Sequence, residues 1–414
     1  MKNILTAFVL IISSLTIQFS CSSPGKNAQP EDVGLSADTL NAASREMEQY
    51  IDNGKLAGIS TLVFKEGAVV HRKNYGYADL ENQEPVTDST IFRIYSMTKP
   101  VTAAALMTLY DEGKFQLDDK VSEYLPEFEG MMVYNAETKS EEPQEDEMTI
   151  RHLLTHTSGI PYGWDQQAYV DSLYRIHGGS GWDGILAEKI QVITEIPLKH
   201  QPGTIWEYGL GIDVAGYLIE VLSGMPLDEF FEQEIFNPLN MDDSGFYVPE
   251  SKHNRFSKLY TKNKEGELTE MEGMMSTIFK SPVTLFSGGG GLVSTADDYL
   301  KFCRMLLNDG ELNGVRILEP STAEMIMTDQ LPQLAEYEEE IGYGLAGSVD
   351  LTRGVYGWAG AASTKFWIDP ANEMIIMTFA QLMPSDYTYA DEFYETVRNA
   401  LKELKDLVFA KSFL

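Results

Sequence analysis

The chain has 414 residues, of which 43% are hydrophobic and 11% aromatic, enough for one large core or two joined ones. Its 31 basic and 63 acidic side chains give a formal net charge of −32. Such an acidic surface disfavours nucleic acid and anionic lipid as partners, because phosphate binding requires clustered lysine and arginine. We therefore expect a globular protein that does not bind nucleic acid.

The first twenty residues carry a pattern typical of export. Met1 and Lys2 precede the apolar run ILTAFVLIISSLTI, which is short for a membrane span. The run leads to a serine followed by Cys21, which resembles a bacterial lipoprotein cleavage site. We predict a signal peptide at 1–20, lipidation of Cys21 and a lipidated tether at 21–35, with plain secretion as the alternative. The protein would then lie in the bacterial cell envelope, in the periplasm or at the outer membrane, and contact a membrane only through its lipid.

Helix and strand signals alternate after the tether. A helix is predicted over about 36–53, and AGISTLVF and AVVHRKNYGYAD flank a hairpin turn at 65–67. The strand-like IFRIY then leads into a helix over about 96–112. Residues 129–149 are acidic and lack an apolar period, which indicates a surface insertion.

Residues 150–280 are predicted to be mostly helical, with loops near GIPYGW and HGGSGWDG. After the glycine run 288–291, ADDYLKFCRMLLND indicates a helix. The segments IGYGLAGSVD, GVYGWAG, ASTKFWID and EMIIMTFAQ follow as short strands, and 385–407 as an amphipathic helix. Because these strands are joined by short connections, we expect antiparallel pairing.

The order of these elements predicts an α+β fold. Early and late strands bracket a helical middle, and the two sets of strands can share one sheet. We therefore predict one domain over 36–410, with a sheet lobe (about 36–95 and 285–410) and a helical lobe (about 96–284).

Ser96-Met97-Thr98-Lys99 is a candidate catalytic motif. Residues at i and i+3 are neighbours on a helix, so the lysine amine can reach the serine hydroxyl. A serine at a helix N-terminus also has a backbone N–H free to stabilise an oxyanion. The same spacing at Ser23 lies in the predicted tether, so the pattern alone is weak. The strand before Ser96 and the amphipathic helix after it favour this copy over a helix N-terminus with a chance lysine.

Two later segments could complete a site. Tyr208 lies in a glycine-containing loop before the helix VAGYLIEVL and could share the proton of the serine. The strand-like Trp358–Ala361 contains small residues, which let a substrate carbonyl approach the backbone closely. Taken singly, the two segments are equally compatible with a packed aromatic and a plain sheet interior.

In this order, the three elements resemble the serine β-lactamase-related superfamily, which comprises class C β-lactamases, DD-peptidases and family VIII carboxylesterases. The segments LLTHTSG at 153–159, Pro-Gly at 202–203 and GGLVSTADD at 290–298 also resemble the superfamily, and the similarity spans roughly 36–405. The resemblance implies a β-lactamase/transpeptidase-like fold, with an antiparallel sheet flanked by helices and a mostly helical lobe.

The resemblance also implies roles for individual residues. Ser96 would be the nucleophile, Lys99 and Tyr208 its proton-handling partners, and the backbone N–H groups of Ser96 and Ala361 the oxyanion hole. It implies no cofactor and no metal. Substrate contacts would come from Leu210, Trp358, Ala359 and Gly360.

Two departures from the superfamily pattern bear on the substrate. Leu210 stands where an asparagine is usual, and Trp358 stands where the strand has lysine or histidine. These polar groups help to hold the amide and carboxylate of β-lactams and peptides. We therefore expect a carboxylesterase that cleaves small esters through an acyl-enzyme. A β-lactamase or D-Ala-D-Ala peptidase on cell-wall-type substrates and a non-catalytic binding protein on the same fold are the alternatives.

Other chemistries lack their motifs. His152 and His156 are spaced i, i+4, but no His-Glu-x-x-His and no His-x-His-x-Asp-His is present, so we expect no metal site. No Gly-x-Ser-x-Gly indicates an α/β-hydrolase. The glycine run 288–291 lacks the Gly-Lys-Ser/Thr of a phosphate loop and predicts a tight turn lining the cleft. Cys303 is expected to be a small buried hydrophobic residue.

Overall fold

The computed structural model describes residues 28–179 and 181–411. The predicted signal peptide and Cys21 lie outside these residues, and of the tether only the end is described, with a 3₁₀ turn at Pro30–Val33. In the described part of the chain, no helix is long and apolar enough to cross a membrane.

The structure contains sixteen strands and thirteen helices within the described residues. In chain order the strands are β1 (Gly58–Lys65), β2 (Ala68–Asp79), β3 (Glu84–Pro85), β4 (Phe92–Arg93), β5 (Met132–Asn135), β6 (Ser140–Pro143), β7 (Tyr260–Lys262), β8 (Leu268–Glu270), β9 (Val293–Ser294), β10 (Glu311–Leu312), β11 (Val315–Arg316), β12 (Ile341–Tyr343), β13 (Ser348–Asp350), β14 (Val355–Gly360), β15 (Thr364–Asp369) and β16 (Met374–Phe379). The helices are α1 (Ala37–Asp52), α2 (Thr98–Asp111), α3 (Val121–Tyr124), α4 (Ile150–Leu154), α5 (Tyr169–His177), α6 (Leu186–Thr194), α7 (Gly211–Ser223), α8 (Leu227–Phe231), α9 (Asn237–Leu239), α10 (Met274–Thr277), α11 (Ala296–Leu307), α12 (Pro320–Met327) and α13 (Thr388–Lys411). Further 3₁₀ turns lie at Tyr95–Met97, Pro126–Phe128, Glu250–Arg255, Ile278–Lys280 and Pro370–Asn372, and a π-helical turn at Glu232–Phe236.

An antiparallel sheet of eight strands forms the centre of the fold, in the order β12-β13-β14-β15-β16-β1-β2-β3. The late strands form successive hairpins, and β16 then pairs with β1, with Ser60 opposite Phe379. Every residue of β1 is buried, as expected for a strand at the middle of a covered sheet. The sequence prediction of one sheet built from early and late strands is therefore confirmed.

Helices cover both faces of this sheet. On one face α1 packs against α13, and their apolar residues share a core with β1 and β16. The side chain of Ser36 caps α1 by accepting a hydrogen bond from the amide of Thr39 at 3.2 Å. On the other face α11 contacts β15 and β16. The second region of the fold is helical, with α2, α4, α6 and α8 packed around α7. The α+β class is confirmed, while the lobe boundaries stay a prediction.

One local prediction differs from the structure. The helix expected from residue 96 begins instead as the 3₁₀ turn Tyr95–Met97, and α2 follows from Thr98. The segment 129–149, expected to be a surface insertion, contains the exposed hairpin β5–β6, whose strands the sequence did not predict. The hydrophobic pattern of the sequence does not reveal this hairpin, because Val133 is the one residue of β5 that is buried.

Candidate active site

Ser96 lies in the 3₁₀ turn that opens α2. The preceding strand β4 pairs with β9, and the amide of Ile94 donates to the carbonyl of Leu292 at 3.1 Å. The amide of Leu292 in turn donates to the hydroxyl of Thr98 at 3.0 Å. Between them Tyr95 has a φ of 41°, in the left-handed region that bulky residues rarely adopt. These contacts hold Ser96 at the helix N-terminus, where its backbone N–H can face a substrate.

Lys99 is completely buried beside the serine. Its Nζ donates to Ser96 Oγ at 3.3 Å, to Tyr162 Oη at 3.0 Å and to the carbonyl of Gly289 at 2.6 Å. Burial lowers the pKa of Lys99 from 10.5 to about 7, while the carboxylate of Asp213 opposes that shift. A substantial share of Lys99 is therefore neutral near pH 7, so the amine can accept a proton from Ser96.

Tyr208 is the second side chain that contacts Ser96. Its Oη donates to Ser96 Oγ at 2.7 Å, and its ring centroid lies 4.6 Å from Lys99 Nζ. Burial raises the pKa of Tyr208 to about 12, so the phenol stays protonated at neutral pH. The structure thus brings together the three residues that the sequence predicts as catalytic.

His156 fixes the loop that carries Tyr208. Its Nδ1 accepts from the amide of Gly209 at 3.3 Å, and its carbonyl accepts from the amide of Glu207 at 2.8 Å. Burial lowers the pKa of His156 well below its usual value, so the ring is neutral. His152 instead accepts from the amide of Thr149 at the start of α4, at 3.2 Å. In the part of the chain that the structure describes, no group of three or more metal-ligating side chains is clustered.

Strand β14 runs past the turn that contains Ser96. A Cβ on Gly360 would lie 2.1 Å from the carbonyl oxygen of Ile94, so only glycine lets the strand approach this closely. The next residue, Ala361, lines the same cavity as Ser96, which is the placement expected of the second oxyanion donor. Trp358 lies with its ring centroid 5.7 Å from that of Tyr208, and Ala359 is half-buried between Trp358 and Gly360.

Leu210 does not reach the cavity, contrary to the substrate contact that the motif position predicts. It is 1% exposed and packs in the main hydrophobic core, just before α7. Beside it, a Cβ on Gly209 would lie 1.7 Å from the carbonyl oxygen of Ile160. The backbone is therefore pressed against the loop before Tyr162, and the side chain of Leu210 turns inward.

The cavity has a volume of about 250 Å³ and a largely aromatic and apolar wall. Trp164 is 64% exposed and stacks on Tyr162 with ring centroids 4.5 Å apart. As predicted, the glycine run takes part, through Gly289 and Gly290. The lining comprises Tyr95, Ser96, Tyr162, Trp164, Trp182, Lys189, Asp213, Met275, Ser287, Gly289, Gly290, Ala361 and Met383.

Sequence reasoning missed several of these residues. Tyr162 contacts Lys99 directly, yet it belongs to the loop GIPYGW, and its one signal is its place shortly after the LLTHTSG segment. Asp213 is noticeable only by its spacing from Tyr208. Lys189 carries no signal, because it lies on an ordinary amphipathic helix.

Comparison with known proteins identifies the family of this chain. The Beta-lactamase family model matches residues 43–397. Protein Rv1367c from Mycobacterium tuberculosis is 32% identical over 369 residues, covering 83% of this chain and 90% of that protein. Esterase EstB from Burkholderia gladioli is 32% identical over 297 residues, covering 66% and 72%. The solved structure of EstCE1, a hydrolase with promiscuous acyltransferase activity, has a TM-score of 0.77 at 26% identity and covers 87% of this chain and 98% of that one. The chain therefore belongs to the Beta-lactamase family of serine hydrolases.

Proposed function

We propose that this protein is a carboxylesterase that cleaves small esters through an acyl-enzyme on Ser96. One observation carries the proposal: Ser96 Oγ accepts hydrogen bonds from Tyr208 Oη at 2.7 Å and from Lys99 Nζ at 3.3 Å. A serine hydroxyl is a weak nucleophile until a neighbouring base removes its proton. Buried Lys99, with its lowered pKa, and the adjacent Tyr208 supply that base.

The reaction has two halves. Ser96 Oγ attacks the ester carbonyl while its proton passes to the Lys99–Tyr208 pair, which titrates as one coupled unit. The oxyanion forms between the N–H groups of Ser96 and Ala361, the C–O bond breaks, and the pair returns the proton to the leaving alcohol. Water then attacks the acyl-enzyme with the same groups and releases the acid.

The residues at two motif positions favour an ester over a β-lactam. Leu210 is buried and Trp358 presents an indole, so neither offers the amide or cation that would hold the amide and carboxylate of a β-lactam. The cation that does line the cavity, Lys189, lies 3.6 Å from the carboxylate of Asp213. The similarity to esterase EstB points in the same direction.

A side-by-side assay tests this function. Purified protein is given short p-nitrophenyl esters, a chromogenic cephalosporin and a D-Ala-D-Ala peptide. We expect the fastest turnover on the esters and its loss in Ser96→Ala, with no change in the control Ser89→Ala, which alters an exposed serine. Unchanged ester turnover in Ser96→Ala would disprove the nucleophile. Faster turnover of the cephalosporin or peptide would favour a β-lactamase or peptidase. Failure of a fluorophosphonate to label Ser96 would favour a non-catalytic binding protein.

We also propose that the protein is exported and held in the bacterial cell envelope by a lipid on Cys21. The support is the sequence: an apolar run, then a serine and a cysteine. The net charge of −32 supports small molecules rather than nucleic acid as partners. In a bacterial host fed an alkyne-labelled fatty acid, the wild-type protein and Cys303→Ser should become labelled and Cys21→Ser should not. Label on Cys21→Ser, or none on the wild type, would contradict the anchor.

A further inference from the structure

Asp213 is a buried carboxylate immediately beside the catalytic groups. It lies in the first turn of α7, is 1% exposed, and its Oδ1 accepts from Ser287 Oγ at 2.6 Å. A Cβ on Gly289 would lie 2.5 Å from Asp213 Oδ2 and 3.0 Å from Tyr162 Oη. Because the carbonyl of Gly289 accepts from Lys99, the carboxylate and the catalytic amine lie against the same glycine.

Lys189 reaches the same carboxylate from α6. Its Nζ lies 3.6 Å from Asp213 Oδ1, and its side chain is 8% exposed. Among the ion pairs of the described residues, this is the pair that Asp213 makes. Both side chains line the cavity that contains Ser96, but the mechanism above uses neither of them.

The charge of Asp213 bears directly on Lys99. An anion near a lysine favours the protonated amine, whereas the reaction requires Lys99 and Tyr208 together to take up the proton of Ser96. Without a counter-ion, Asp213 would hold Lys99 in its protonated form. A second cation beside Asp213 offsets the carboxylate and leaves burial to decide the state of Lys99.

We propose that Lys189 is the counter-ion of Asp213 and thereby keeps Lys99 able to give up its proton at neutral pH. This inference rests on the proposed function, because it concerns the same base system. Lys189 is a positioning residue in this scheme: it acts on Lys99 through Asp213.

Other titratable groups face this cluster from every neighbouring element. Burial keeps the nearby phenols protonated, since it raises their pKa values, and it keeps the imidazole neutral. Burial instead lowers the pKa of Lys99 to about 7, so this amine changes charge near neutral pH. The facing groups are Lys99 from α2, His156 after α4, Tyr162 from the following loop, Tyr208 from the loop before α7, and Tyr343 from β12.

The test is the pH dependence of Ser96 reactivity in full-length protein. The rate of Ser96 labelling by a fluorophosphonate, and kcat/KM on a p-nitrophenyl ester, both rise with pH as the Lys99–Tyr208 pair loses its proton. Lys189→Met leaves the charge of Asp213 uncompensated, so the pH at which the rate reaches half its maximum on the acidic limb should rise by about one pH unit. Asp213→Asn removes the anion and leaves the cation, so the limb should move down. The double variant Lys189→Met/Asp213→Asn should have a pH profile close to that of the wild type. Lys189→Arg keeps the cation and should also have the wild-type profile.

Opposite shifts that cancel in the double variant distinguish this role from a structural one. Residues needed only for folding would lower the melting temperature and the labelled fraction without displacing the limb in opposite directions. Shifts of the same sign, or no shift in either single variant, would overturn the inference. If the wild type is labelled at Ser96 but turns over no ester, the proposed ester substrate is wrong. The pH dependence of the labelling rate in the variants then tests the role of Lys189 by itself. If the wild type is not labelled, both fail.

Discussion

Replacing Lys99 by methionine should abolish activity and yet stabilise the protein at low pH. The pKa of Lys99 falls from 10.5 to about 7 on folding, which is about 3.5 units and corresponds to roughly 5 kcal/mol. Because the folded value is the lower one, the whole cost is present below pH 7 and declines as the pH rises towards 10.5. The variant also loses the hydrogen bond to the Gly289 carbonyl, which lowers its stability by roughly 1–3 kcal/mol. The net gain of Lys99→Met at pH 6 should therefore be about 2–4 kcal/mol.

The assay is the melting temperature of wild type and Lys99→Met at pH 6, 7.5 and 9. At pH 9 the remaining cost of Lys99 is about 2 kcal/mol, similar to the lost hydrogen bond, so the advantage of the variant should vanish. Lys120→Met is a matched control, because that lysine is exposed and paired with Glu147. A variant no more stable than wild type at pH 6, or an advantage that does not change with pH, would refute this account of Lys99.

Three further substitutions have expected outcomes. Tyr208→Phe keeps the ring but removes the donor to Ser96, so kcat/KM on a p-nitrophenyl ester should fall ~10²–10⁴-fold with the melting temperature unchanged; a smaller loss would contradict proton transfer through the phenol. Tyr162→Phe removes one partner of the catalytic amine and should lower kcat about ten-fold at unchanged KM; an effect on KM alone would contradict it. Gly360→Ala forces a Cβ within 2.1 Å of a backbone oxygen and should lower both stability and turnover, unlike Gly245→Ala, whose Cβ meets nothing within 3.4 Å; equal behaviour of the two would refute the close approach.

The candidate catalytic residues could be picked out from the sequence because their signals are local. Ser96 and Lys99 are joined by helical spacing, and the loop with Tyr208 has a recognisable glycine pattern. The late strands were also predictable, since their short connections leave antiparallel hairpins as the simple solution. In each case the signal lies within a few residues of the chain, although the contact of Tyr208 with Ser96 joins distant segments.

The rest depends on contacts between distant segments. Tyr162 meets Lys99 only because two loops converge on one buried amine, and the Lys189–Asp213 pair joins two separate helices. Leu210 is buried in a core built from many separate segments, which its local sequence does not reveal. The positive φ of Tyr95 is imposed by its surroundings and goes against the usual preference of a tyrosine, so no propensity predicts it.

The pairing of β1 with β16 bears on when activity can arise during synthesis. Ser60 pairs with Phe379, so the centre of the sheet stays open until β16 has left the ribosome. Ser96, Lys99 and Tyr208 are made long before β14 and the adjacent Ala361, the proposed second oxyanion donor. A nascent chain therefore carries its nucleophile well before it can hydrolyse anything, and such long-range closure also makes folding slow. Hydrolysis should begin only when the last strands have joined the sheet. A chain that ends before them would contain Ser96 but would lack the complete site.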